Sequence, residues 1–518
     1  MLAKVHSAAL QGLEAMVVTI EVDNYSGGQV QKFTIVGLPD NAVKESQERV
    51  QSALRVNGYK APEKSVVINL APADVRKEGS AFDLPMAIGV MMSYEFLTIE
   101  KPERFMFVGE LGLDGSVLPV KGVLPISIKA RELGYEALFV PAENAREAAV
   151  VNKLKVYGVN HLNDIVGFFE GTQTLEPTMV NTREEFYAQQ YDFPYDFEEV
   201  KGQENVKRAL EVAAAGGHNI IMIGSPGCGK SMMAKRLPSI LPPLTLRESL
   251  ETTQIHSIAG RLAKGSSLIG QRPFRSPHHT ISEVGLAGGT SHARPGEVSL
   301  AHNGVLFLDE LTEFNKSTLE ILRQPLEDRK ITITRAQSHV EYPCSFMLVA
   351  SMNPCPCGYY GDPLHHCVCT PGQINRYLSK ISGPLLDRID LQIELQAVPF
   401  AQLSKMKPGE PSAAIRERVI KARQIQEERF KDYQGIHCNA QMTEKMLHLY
   451  AEPDEACLEM LRVAMEKLHL SARAYSRILK VARTIADLEG AEKVERPHIA
   501  EAIGYRNLDR GDWAERGY

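Results

Sequence analysis

No apolar run in this chain approaches the eighteen or so residues that a membrane-spanning helix needs, so a helical membrane protein is not expected. The start, Met1 to His6, has no apolar stretch leading to a small-residue cleavage site, and no secretory leader is expected. Excess positive charge is also absent. The 58 Lys and Arg stand against 64 Asp and Glu, a net charge of -6, which excludes a globally basic nucleic-acid binder but not a local basic surface on a few loops. Cysteine is sparse: eight in 518 residues is too few for a disulfide scaffold. Four of the eight are clustered, which points to a metal in a reducing, cytoplasmic setting. Fixed-period repeats and low-complexity tracts are missing as well. What is present is ordinary for a soluble globular protein, 44% apolar and 24% charged, over a length that predicts three or so domains.

Residues 1–170 read as one α/β unit. Val17 to Val22 and Val66 to Leu70 read as strands, and Phe105 to Gly109 and Ala137 to Pro141 as short buried ones. Asp40 to Asn57 reads as an amphipathic helix with Val43, Val50 and Leu54 on one face. Residues 171–196 have no apolar period and read as a linker. A second α/β unit, 197–398, contains Ile220 to Ile223, Val305 to Leu308 and Phe346 to Ala350. Continuous apolar runs of this kind suit central parallel strands covered on both faces. Residues 399–507 are expected to form a largely helical lid, and 508–518 a polar tail.

The sharpest motif is Gly224-Ser225-Pro226-Gly227-Cys228-Gly229-Lys230-Ser231, a G-x-x-x-x-G-K-S phosphate loop between an apolar strand and a helix start. Its glycines let backbone N–H groups approach phosphate oxygens. Lys230 is placed for the β and γ phosphates of ATP, and Ser231 for Mg²⁺. Leu306-Phe-Leu-Asp309-Glu310 supplies the partner motif, an apolar strand ending in two carboxylates. Asp309 is expected to hold Mg²⁺ through water and Glu310 to polarise the attacking water. Asn353, after the strand Phe346 to Ala350, can place an amide beside the γ-phosphate and that water.

These residues resemble the AAA+ ATPases. The resemblance implies that Phe197 to Gln203 enters the adenine pocket. It further implies that Leu385-Leu-Asp-Arg388-Ile-Asp390 carries an arginine finger, Arg388, which reaches the γ-phosphate bound by a neighbouring subunit. Ser471-Ala-Arg473 is similar to the second sensor, with Arg473 over the phosphates and Arg477 as the weaker alternative. Residues 257–299 form a long insertion, rich in Gly, Ser, His and Arg, that resembles the helix-2 insertion of one AAA+ branch. Within it, Phe274 and Arg275 offer DNA a stacking face and a charge. The pair His278-His279 reads either as solvated histidines or as part of a metal site. Lys330 to Tyr342 reads as a hairpin, whose Lys330, Arg335 and His339 either touch a substrate strand or serve a subunit contact.

Cys355-Pro-Cys357 and Cys367-Val-Cys369 are two close pairs able to close a tetrahedral, structural Zn²⁺ site, with His365 or His366 as a possible substitute ligand. In the first unit, Arg76 to Pro85 and Gly109 to Val120 resemble the proteolytic domain of Lon-type enzymes, which use a Ser–Lys dyad. Here Ala81 stands at the nucleophile's place and Leu124 at the lysine's, so a noncatalytic domain is expected. Ser80 and Lys121 are the only remnants of a protease reading. The combination is similar, over nearly the whole chain, to the ComM/YifB group of magnesium-chelatase-like AAA+ proteins, most closely in Asn69 to Gly79, Arg272 to Thr280 and Asn353 to Gly358. That resemblance implies an ATP-driven hexamer that migrates branched DNA and helps to integrate DNA during natural transformation. The alternatives are a chelatase-type motor that remodels a protein during metal insertion, and a residual protease.

Overall fold

The computed structural model describes residues 2–26, 32–59, 64–289, 293–335, 338–397, 407–468 and 470–506. The expected tail and residues 398–406, where the lid was expected to begin, lie outside these, as does the side chain of Arg335.

The first unit is built on a seven-stranded mixed sheet. In spatial order it comprises Phe33–Val36, Ser65–Ala71, Glu14–Tyr25, Ala3–Gln11, Phe105–Phe107, Ala137–Pro141 and Lys155–Val159. The expected amphipathic helix runs from Asn41 to Val56. Asp40 caps it by accepting the Val43 N–H at 2.8 Å, and Val43, Val50 and Leu54 are buried. The 171–196 segment is not a plain linker. It carries a helix, Thr182–Gln189, with Phe186 buried. Glu185 of that helix accepts from Arg146 of the first unit at 2.6 Å and from Ser267 of the second at 2.5 Å. One buried aromatic and two polar bonds, rather than an apolar period, fix this helix, which is why the pattern did not reveal it.

The second unit is a five-stranded parallel sheet in the order Phe274–Arg275, Val305–Leu308, Met347–Met352, Ile220–Gly224, Leu391–Leu395. The three expected central strands are buried along their whole length, as apolar runs covered on both faces require. The hairpin is present as Lys330–Arg335 paired antiparallel with Ser338–Pro343. It leans on the first unit, where a side chain at Gly12 would meet Val340. The lid is helical: Ser412–Phe430, Glu444–Tyr450, Glu455–Lys467, Ala472–Glu489 and Arg496–Gly504. Its helix Ala472–Glu489 packs on Glu204–Gly216 of the core and on Ser412–Phe430. No described helix is long and apolar enough to cross a membrane.

Candidate nucleotide site

All five strands of the second sheet run the same way, so their carboxyl ends share one edge. The phosphate loop leaves the end of Ile220–Gly224, Asp309 and Glu310 follow Val305–Leu308, and Asn353 follows Met347–Met352. Parallel pairing of three buried strands thus assembles the site. Gly227 and Gly229 take φ of 80° and 98°, the left-handed turn that brings the loop back into the helix Lys230–Arg236.

Within this edge the expected residues meet. The Lys230 ammonium donates to the carbonyls of Gly224 at 2.6 Å and Ser225 at 3.0 Å, and to Asn353 Oδ1 at 3.2 Å. It lies 3.8 Å from the sulfur of Cys228, whose thiol is pushed above its ordinary range by burial. The Ser231 hydroxyl donates to Asp309 Oδ2 at 2.6 Å. Asp309 also receives the Ser351 hydroxyl and, at 3.1 Å, the Glu310 amide. A hydroxyl and a carboxylate oxygen converging from two strand ends are a fitting donor pair for Mg²⁺. Glu310 sits at φ 54°, a conformation that costs about 1–3 kcal/mol for a side-chain-bearing residue, with its side chain 59% exposed at the site's mouth.

Two contributors escaped the sequence reading. His279, from the insertion, brings Nδ1 to 3.9 Å of Glu310 Oε2, and its ring lies tilted against His278 with centres 4.0 Å apart and edge-on to Phe314. Ser351 fixes Asp309 from the adjacent strand. Its position two residues before Asn353 was the available signal, whereas nothing in sequence spacing links His279 to Glu310.

The expected arginine finger, Arg388, and the expected second-sensor arginine, Arg473, lie at the opposite edge of the sheet. Arg388 precedes the strand Leu391–Leu395 and pairs with Glu327, while donating to the Pro384 carbonyl at 2.7 Å. A five-residue strand spans about 17 Å, so Arg388 cannot serve the phosphate loop of its own chain. Arg473 departs from expectation. It does not overlie its own phosphate loop but pairs with Asp387, next to Arg388, at 2.7 Å. The lid helix Ala472–Glu489 packs on the core helix Glu204–Gly216 and carries Arg473 to that edge. Arg477 is bound to the buried Asp390 at 2.9 Å.

The insertion residues are also placed differently. Phe274 and Arg275 form the edge strand of the sheet. Phe274 stacks on Phe307 with ring centres 5.9 Å apart, and Arg275 makes two 2.7 Å hydrogen bonds to Glu297. Their chemistry is spent on the fold, because a strand pairing with Val305 and Leu306 buries its apolar face and needs its charge neutralised. Neither is a free DNA contact. Lys330 is half-exposed on the hairpin and pairs with Glu341 at 3.0 Å.

The four cysteines come together behind the phosphate loop, with all four sulfurs within 4.8 Å of one another. Cys355 Sγ lies 3.3 Å from Cys357 Sγ and 3.7 Å from Cys367 Sγ. Tetrahedral zinc with bonds of about 2.3 Å sets sulfurs about 3.8 Å apart, so the donor set fits. His365 pairs with Asp362 instead, at 3.2 Å. Burial raises the Cys357 thiol, but amide hydrogen bonds from Tyr359 and Val368 outweigh that and bring it down to about 6. Burial and the neighbouring sulfurs push Cys367 up to about 12. The cluster touches the nucleotide site: a methyl group at Gly358 would come within 2.8 Å of the Pro226 ring.

In the first unit, Leu124 is fully buried and its amide donates to Glu147 at 3.0 Å; the Ser80 hydroxyl is bound to Glu110. Lys121 faces the cleft between the two units, its ammonium lowered by burial and by Arg294 and Arg261.

A parallel sheet with a phosphate loop, paired carboxylates and a polar sensor at one edge defines an AAA+ ATPase core. Family models agree, with residues 196–403 matching magnesium chelatase, subunit ChlI, 20–144 matching subunit ChlI of Mg-chelatase, and 409–506 matching the ChlI C-terminal model. The chain is 43% identical over 510 residues to competence protein ComM of Haemophilus influenzae, covering 98% of each chain. It is 41% identical over 513 residues to YifB of Escherichia coli, again covering 98% of each. Lon protease 2 of Bacillus subtilis matches 28% of the chain at 29% identity. The chain belongs to the ComM/YifB family of magnesium-chelatase-like AAA+ ATPases.

Proposed function

We propose that the chain is an ATP-driven motor that assembles as a hexameric ring and moves single-stranded or branched DNA, migrating branches during recombination or natural transformation. One observation carries this reading. The phosphate loop and the arginine pair Arg388 and Arg473 occupy opposite edges of one sheet, which supports a second copy bringing its arginines to complete each site. The similarity to a protein named for competence, along nearly the whole length, supports the DNA role. Free thiols throughout the described residues suit a reducing, cytoplasmic setting.

In this reading Lys230 and the loop amides neutralise the phosphate tail, and Asn353 orients the attacking water. Glu310 takes the proton of that water as it attacks the γ-phosphorus, and the neighbour's Arg388 and Arg473 meet the charge that builds on the leaving oxygens. Ser231 and Asp309 would hold Mg²⁺, which supplies positive charge to the β and γ oxygens. Cys355, Cys357, Cys367 and Cys369 would hold a structural Zn²⁺. Lys330 and Arg335 of the hairpin are the candidate DNA contacts, and Lys330 is half-exposed there.

A second reading, a chelatase-type motor that remodels a protein, draws on the 26% identity over 188 residues to magnesium-chelatase subunit ChlI of Guillardia theta. A protease reading is disfavoured by Ala81, by the buried Leu124 and by Ser80 held on Glu110. The deciding experiment is ATP-dependent branch migration on a synthetic three-strand junction, beside Glu310→Gln. Movement by the native protein alone supports the motor. Absence of both junction movement and DNA-stimulated hydrolysis would remove the DNA reading.

A further inference from the structure

The amino-terminal edge of the ATPase sheet holds a cavity of about 140 Å³ between the core and the lid. A cavity needs only about 10–15 Å³ to hold one water, so this one has room for an oxyanion and several waters. Arg272, Arg329, Arg388, Arg423 and Arg477 line it, against two carboxylates, Glu248 and Asp390. Those carboxylates are committed: Glu248 bonds Arg272 at 3.3 Å and Asp390 bonds Arg477 at 2.9 Å. Arg423 has only a carbonyl, that of Ala214 at 3.1 Å. Among the described residues the guanidinium of Arg329 has neither a carboxylate nor a hydrogen-bond partner. The Nε of Arg388 is buried and also unpartnered, while its two other nitrogens are held by Glu327 and the Pro384 carbonyl.

Uncompensated buried cations are costly, and proteins keep them where an anion will meet them. We propose that this cavity is a binding site for a phosphate-class oxyanion, held by Arg329, Arg388 and Arg423 between the ATPase core and the lid. Guanidinium forks match phosphate geometry, and three from separate elements converge here. The local field agrees with this. Burial, with Arg477 and Arg329 adding to it, holds the Lys480 ammonium down to about 8, and burial lowers Arg329 itself. A bound anion would tie the sheet edge, the turn before the hairpin and the lid helix Ser412–Phe430 into one body. The site is separate from the phosphate loop and does not depend on the DNA reading. Its ligand is a free inorganic anion, distinct from the phosphate tail of a nucleotide held by a second copy, which Arg388 meets in the proposed shared site.

The test uses the full chain carrying Lys230→Ala, which disables the phosphate loop, at a concentration where sedimentation shows monomer. Pyrophosphate is titrated against chloride at equal ionic strength. The expected result is a rise of several degrees in unfolding midpoint with pyrophosphate only, lost when Arg329→Gln and Arg423→Gln are added. Amide exchange covers the case in which those variants do not fold. On pyrophosphate addition, residues 325–329 and 437–441 should be protected in the Lys230→Ala chain itself. If the monomer does not respond but the assembled native chain shows the same protection with ATP, these arginines serve only the neighbour's phosphate tail, and the separate site is overturned. Protection in neither case, or a shift equal to that with chloride, overturns the proposal.

Discussion

At the scale of single residues, the nucleotide site rests on a few short polar contacts made by groups from different strands. Lys230 touches Asn353, and Ser231 touches Asp309, so both pairs unite residues far apart in sequence. Lys230→Ala is expected to abolish ATP binding, measured by fluorescent-nucleotide titration. Glu310→Gln should keep nucleotide affinity while turnover falls by about 10²–10⁴-fold, the usual worth of a general base, as read in single-turnover assays. These residues were legible because a phosphate loop and a carboxylate pair each need particular residue types at fixed spacing. His279 was not, since its approach to Glu310 depends on how the insertion folds back over the strand ends. Phe274 and Arg275 were legible as chemistry but misread as surface. An aromatic and an arginine look the same in sequence whether they face DNA or complete a sheet edge.

At the scale of elements, the apolar strands and the capped helix of the first unit followed directly from periodicity. The helix Thr182–Gln189 did not, having one buried side chain to declare it. The cysteine loop is the element with the clearest consequence. It abuts the phosphate loop at Pro226, and Gly358 stands there at φ 88°. Gly358→Ala puts a methyl group against that ring and strains the backbone, so ATP affinity should weaken at least severalfold in equilibrium titration while the fold survives by circular dichroism. Metal analysis should find about one zinc per chain, and chelation should lower ATP turnover as the support behind Pro226 loosens.

A buried polar cluster couples the lid to the core. Asp390 receives His218 at 3.1 Å, Arg477 at 2.9 Å and the Asn219 amide at 3.3 Å, and His218 meets Thr484 of the lid at 2.8 Å. Burial holds His218 below its ordinary value. Asp390 is also held low: burial opposes this, but Arg477 and His218 outweigh it. Both folded-state values lie below the unfolded ones, so each contribution is full above the unfolded value and is lost on acidification. Stability should therefore begin to fall once pH drops below about 6.5, the ordinary histidine value. Thermal unfolding between pH 8 and 5 checks this, with His218→Asn expected to flatten the upper part of the decline.

At the scale of the whole molecule, family membership and the α/β, α/β, helical order could be read from the sequence, because each motif sits in its expected element. The edge at which the two arginines stand could not. The motif carrying Arg473 shows that a lid arginine exists, but only packing shows that it stands beside Asp387 and Arg388, a strand's length from its own phosphate loop. The proposed shared site makes turnover per chain depend on assembly, so dilution to monomer should lower it. Arg388→Ala should cost on the order of a thousandfold in turnover, the usual worth of an arginine finger, with ATP affinity largely kept.

Mixing two inactive chains tests the divided site most directly. Lys230→Ala lacks a working phosphate loop but keeps its arginines, and Arg388→Ala keeps the loop but lacks the finger. Combined at concentrations that allow subunit exchange, they should regain ATP turnover well above either alone, because some interfaces pair an intact loop with an intact finger. If the mixture stays as inactive as its components while exchange is demonstrated, the site is not divided between chains.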